Sequence, residues 1–255
     1  MLKFFRKVRR NLIIEKKLGN YLLYALGEII LVVIGILIAL RINNANQEHI
    51  LREKEQVYLI GLKNEFSANK TKLQTLIEVN KDNYESAKTI LTILDTGQDQ
   101  HNEQELSQLL FEAFSYEIAY NPNNSLLNEM MNSGSLKDIS NTELRLYLTS
   151  WESMIAHVKV QEADLRKQRE NVRDMLRSNE ASLRTILDHA NITPTTIGLP
   201  PTKDPYSNIG LLHTKQFENN ALSFILTGIS AETSHYIPLL EEIDEILELI
   251  NQELK

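Results

Sequence analysis

The stretch SNTELRLYLTSWESMIAHVKVQEADLRKQRENVRDMLRSNEASLRTILDHA, residues 140–190, holds neither glycine nor proline and repeats its apolar residues every three or four positions. Leu144, Leu148, Trp151, Ile155, Val158, Leu165, Val172, Leu176, Leu183 and Ile186 fall on one seam, with Asn179 and Ala190 in its outer part. That spacing is the period of an α-helix laid at a shallow angle on a partner. It predicts one helix over about 141–190, opened by Ser140 and Glu143 as a capping box.

A matching partner lies upstream. Residues 47–95 contain no proline and a single glycine, Gly61, and their seam runs through Leu59, Leu62, Phe66, Asn69, Leu73, Leu76, Asn80, Asn83, Ala87, Ile90 and Leu94. Two long helices with matching seams predict an all-α fold, an elongated antiparallel bundle or coiled hairpin. Glu162 and Arg169 put charge at seam positions two turns apart, and two readings are open. They form a buried polar layer with Asn69 and Asn80 of the facing helix, fixing register or holding a ligand. Otherwise the supercoil slips and both charges lie at its margin.

Outward from these helices the punctuation is sparse, since the 255 residues include only nine glycines and six prolines. Thr96-Gly97-Gln98 predicts the end of the first long helix. Asn102 with Glu105 caps a shorter helix running to about Tyr120, where Asn121-Pro122 breaks the chain, and Gly134 marks a second break. Residues 191–214 hold four of the six prolines and read as a loop, the segment best placed for an exposed contact. Terminal helices follow at about 215–231 and 236–254, the last with Leu239, Ile243, Ile246, Ile250 and Leu254 on one stripe and Pro238 in its first turn.

Before the bundle stands YLLYALGEIILVVIGILIALRI, residues 21–42. At 1.5 Å per residue, roughly 20 apolar residues match a hydrocarbon core of about 30 Å. The segment begins too late for a cleaved signal peptide and lacks a small-residue cleavage site, so it reads as an uncleaved anchor. Residues 1–20 carry +6 of formal charge and the rest −13. The positive-inside rule then places 1–20 in the cytoplasm and 43–255 across the membrane. Gly27, Gly35 and Ala39 recur at multiples of four, the spacing that lets membrane helices approach closely, so a homo-oligomer through this face stands beside the plainer reading that small residues are common in such helices. Glu28, two turns inside, either helps assembly or snorkels toward Lys16, Lys17 and the head groups.

FFRKVRRNLIIEKKLGNYLLYALGEIILVVIGILIALRINNANQ closely resembles the opening of domain of unknown function (DUF) family 6090, small single-pass bacterial membrane proteins. NSGSLKDISNTELRLYLTSW, Asn132 to Trp151, resembles a second family hallmark. The resemblance implies residence in a bacterial inner membrane with a periplasmic domain, and it brings no catalytic residues. Ala45 stands where the family usually shows tryptophan, so interfacial anchoring is not implied there.

Chemistry-bearing patterns are few. With no cysteine there is neither disulfide nor thiolate. Glu232-Thr-Ser-His235 is a Glu-x-x-His pair, but a di-iron bundle needs two. Phosphate-cradling glycine loops, nucleophile elbows and zinc-protease motifs are absent. An acidic body does not suit nucleic acid, whose phosphates call for clustered Lys and Arg. Neither enzyme activity nor a cofactor is expected. The favoured role is a structural or docking module, with the bilayer, a second copy or a protein as partner. The alternative is a ligand-sensing bundle that signals through another membrane protein, since twenty basic residues cannot form an output domain.

Overall fold

Few glycines and prolines interrupt the backbone, so helix can run for long stretches. The computed structural model describes residues 18–95 and 102–254, and these contain helices and connecting turns and no strand. Residues 1–17, most of the basic head, and Thr96-Gly97-Gln98 lie outside the described residues. The chain divides into two units, Met1–Val57 and Tyr58–Lys255.

Helix α1 is Leu18–Asp95, so the apolar segment expected at 21–42 and the helix expected at about 47–95 are portions of one helix. In the first unit its large apolar side chains, Leu31, Ile36 and Ile42 among them, are exposed. By length and composition this is the one stretch among the described residues able to cross a membrane.

The second unit has its own core. From α1 it takes Leu59, Leu62, Phe66, Leu73, Ala87 and Ile90, all buried, while Leu76 and Leu94 are half-buried. Around them are α2 (Glu103–Ser115), α3 (Ser125–Ser133), α4 (Thr142–Leu176), α5 (Leu183–His189), α6 (Ile209–Leu212), α7 (Lys215–Ala231) and α8 (Ile237–Glu253). Helix α4 packs on α7 and α8, and α5 lies on α2. Trp151 of α4 stands edge-on to Phe66 of α1, their ring centroids 5.0 Å apart. Truncating such a core side chain to alanine costs about 2–5 kcal/mol. The apolar stripe of α8 is buried at Leu239, Ile243, Ile246 and Ile250.

Three expectations need correction. Helix α2 stops at Ser115, not near Tyr120, because Tyr116 turns extended and residues 116–124 cross the bundle without helix. Helix α4 is capped by Asn141, whose side chain accepts from Leu144 N at 2.9 Å, one residue after Ser140. The helix expected over 141–190 ends at Leu176, and a turn over 177–182 precedes α5. No glycine or proline causes that break. Asn208, fully buried, accepts from Ser182 N at 2.7 Å, the amide that a continuing helix would turn to the preceding turn, and donates to Ser182 O at 3.2 Å, which Ile186 N also reaches at 3.4 Å. Ser182 then caps α5 through Thr185 N at 3.1 Å. The proline-rich loop contains one turn of wide helix at Thr193–Ile197 and the short α6.

Candidate functional site

An extended segment laid against a helical bundle presents backbone N–H and C=O groups with no ladder to satisfy them, and each one that is buried must find a partner or cost about 1–3 kcal/mol. Several groups of residues 116–127 find theirs in side chains of the two long helices, α1 and α4. From α4, Arg169 Nη1 donates to Tyr116 O, and Glu162 Oε1 accepts from Tyr120 N at 2.6 Å. From α1, Asn69 donates to Asn123 O at 2.8 Å and accepts from Asn123 N at 2.7 Å. Lys72 Nζ donates to Asn121 O at 3.2 Å. Glu65 closes the segment by accepting from Leu126 N at 2.9 Å and Leu127 N at 3.2 Å, the first free amides of α3. Trp151 Nε1 reaches Asn124 Oδ1 at 3.0 Å.

Asn69, Asn80, Glu162 and Arg169 are all buried, and neither charge lies at a margin. The structure gathers three of them on the extended segment: Asn69 from one side, Glu162 and Arg169 from the other. Asn80 is elsewhere. It donates to Gly228 O at 3.0 Å, where α7 comes so close that a Cβ on Gly228 would stand 3.3 Å from Tyr84.

Burial sets the electrostatics. It pushes the Glu162 carboxyl above the usual range, against the opposing pull of Tyr120 N–H, the Tyr236 hydroxyl at 3.3 Å, Arg166 and Lys159. Tyr236 and Tyr120 are pushed up by burial too, Tyr236 further by the Glu162 charge. Burial pulls Arg169 down, helped by neighbouring Arg173 and resisted by Glu117 and Glu170. Among the described residues, Arg169 Nε is buried without a hydrogen-bond partner.

In the first unit, Gly27 and Gly35 have nothing within 4 Å of where a Cβ would stand, Ala39 is exposed and Glu28 is half-buried. Among the described residues no three His, Asp or Glu side chains gather as a metal site. Glu232, from the lone Glu-x-x-His pair, accepts from the Tyr84 hydroxyl at 2.9 Å. Glu65, Tyr120, Tyr236 and Asn208 carry weight that the sequence does not announce. Glu65 sits one position before the seam residue Phe66, and Asn208 sits in a loop with no periodicity at all.

The model of a family of unknown function, DUF6090, matches residues 28–176, more than half of the chain. The match opens at Glu28 and closes on Leu176, the last residue of α4, so it contains every side chain holding the 116–127 segment. No curated protein and no solved structure matches this chain.

Proposed function

Because the chain belongs to the DUF6090 family, whose function is unknown, we propose its role from its own residues: a membrane-anchored helical module that assembles with, or docks, another protein. The apolar part of α1 crosses a bilayer, residues 1–20 stay in the cytoplasm, and the second unit lies on the far side, in a bacterial cell the periplasm. One observation carries this reading. The apolar stretch of α1 is left unburied by the other described residues, and some twenty apolar residues in water are untenable where a bilayer can take them. The open face of Gly27, Gly35 and Ala39 suits a second copy of the same helix, with Glu28 beside the crossing. Catalysis and a cofactor have no place in the proposal, and neither does nucleic acid.

The test is crosslinking in intact membranes followed by mass spectrometry, comparing the native chain with a Gly27→Leu/Gly35→Leu variant. Self-capture by the native chain and its loss in the variant is the expected result. Capture of one other protein through residues 191–214, with no self-capture, replaces assembly by docking; recovery of the chain in the soluble fraction sinks the membrane reading. A second reading, a ligand-sensing bundle signalling through a partner helix, draws on one observation, a groove of about 270 Å³ between helices of the second unit.

A further inference from the structure

The early end of α4 has a consequence beyond topology. Had the helix run on to residue 190, its apolar seam would have continued along one axis. Instead α5 turns back onto α2, and a groove of about 270 Å³ opens between α2, the last turn of α4 and α5. Its floor is Leu110, Phe114, Leu176 and Ile186, all buried, and its walls are Phe111 and Leu183. Leu183 remains 43% exposed, so apolar surface is left uncovered inside a concavity.

Arg173 and Arg177 stand at the mouth of this groove. They belong to a guanidinium row over the end of α4 and its C-cap, Arg177, with too few carboxylates. Glu170 faces Arg169 at 3.7 Å, Arg173 at 3.0 Å and Arg177 at 3.1 Å, and Asp174 adds a contact to Arg177 at 3.2 Å. Three cations therefore share two acids. Counting the neighbouring pair Arg166–Glu117 at 3.0 Å, whose acid also acts on Arg169, four cations share three acids, while Arg184 pairs with Asp188 at 3.0 Å. Arg169 itself lies outside the groove, 5% exposed, with Nη1 donating to Tyr116 O. Apolar walls ending in guanidinium groups that share too few carboxylates describe a site for a molecule with a hydrocarbon tail and one negative head. The volume sets the tail's size, because about 270 Å³ lies just under the roughly 300–1,000 Å³ of sites for drug-sized ligands. A two-chain lipid or a folded peptide would place only part of itself in the groove, whereas a single short chain is of its size.

We propose that this groove binds a medium-chain carboxylate, its tail along Leu110, Phe114, Leu176 and Ile186 and its carboxylate on Arg173 and Arg177. The inference stands apart from the assembly role, since binding is measured on the chain whatever its partners.

Octanoate labelled with ¹³C at the carboxyl is the probe, titrated into the full-length chain in nanodiscs of zwitterionic lipid, with empty nanodiscs as reference and the carboxyl resonance as readout. Saturable binding of one octanoate per chain is expected, with octanoate about fourfold weaker than nonanoate per methylene removed. Arg177→Gln should weaken it at least fivefold and Leu183→Glu at least tenfold. Both residues are substantially exposed, and far-ultraviolet circular dichroism melting checks that each variant folds. Independently of any variant, octyltrimethylammonium, with the same tail and opposite charge, should fail to displace octanoate. Binding equal to that of empty discs, equal competition by the cation, or indifference to Arg177→Gln in a folded variant each overturns the proposal.

Discussion

Glu162 shows how one side chain can hold a fold together and still be ill at ease there. It satisfies Tyr120 N and accepts from Tyr236 OH, yet burial holds its carboxyl above the usual range. A carboxyl with a raised folded-state pKa keeps more protons folded than unfolded, so its contribution is most favourable below the unfolded value of about 4.3 and is lost as pH climbs through the folded value. Stability should therefore decline over the acid-to-neutral range in proportion to that shift. Glu162→Gln keeps an acceptor for Tyr120 N without the buried charge. We expect it to match or exceed the native chain at pH 7 and to flatten that decline. Glu162→Leu strands the Tyr120 amide and should cost about 1–3 kcal/mol at every pH. Melting of the full chain in detergent from pH 4 to 8 measures all three, and a Glu162→Gln variant less stable than Glu162→Leu at neutral pH contradicts the account. Sequence periodicity does place Glu162 and Arg169 in the seam. What they do there is invisible to it, because their partners are backbone atoms of Tyr116 and Tyr120, and backbone atoms leave no mark in a sequence.

Among the elements, legibility follows the range of the interaction. The seams of α1, α4 and α8 and the caps at Asn102 and Gly134 depend on neighbours a turn away, and they can be read directly: Asn102 Oδ1 accepts from Gln104 N at 3.0 Å, and Gly134 closes α3 at φ 71°. The ends of α2 and α4 depend on distant residues, so they cannot. The sequence through Arg177 and Ser182 contains no Gly or Pro breaker, and the turn there is held by Asn208 from across a loop. Asn208→Ala removes both bonds to Ser182, and the segment 177–182 should then open. The expected loss is about 1–3 kcal/mol, with amide exchange speeding first at 178–189 while the first three turns of α4 stay protected. Uniform acceleration across α4 would mean that the break is set by packing of α5 on α2, with Asn208 only following it.

At the scale of the whole chain, the proposed anchoring gives the two units different solvents, and the sole tryptophan allows them to be observed separately. Trp151 lies in the second unit, 1% exposed against Phe66, so its fluorescence reports that unit alone. The apolar part of α1 draws nothing from that core. In a bilayer every one of its backbone hydrogen bonds is internal to the helix, and no water is present to compete for them. Urea should then act on one unit and spare the other. For the full chain in nanodiscs we expect a single cooperative transition by tryptophan fluorescence, and helicity that falls with it but stops at a plateau set by the membrane-embedded part of α1. The plateau should persist to the highest urea reached and vanish when the discs are replaced by urea and water alone. If helicity in nanodiscs instead falls to zero along the fluorescence curve, α1 owes its order to the second unit's core, and the division of labour between an anchor folded by lipid and a bundle folded by water fails with it.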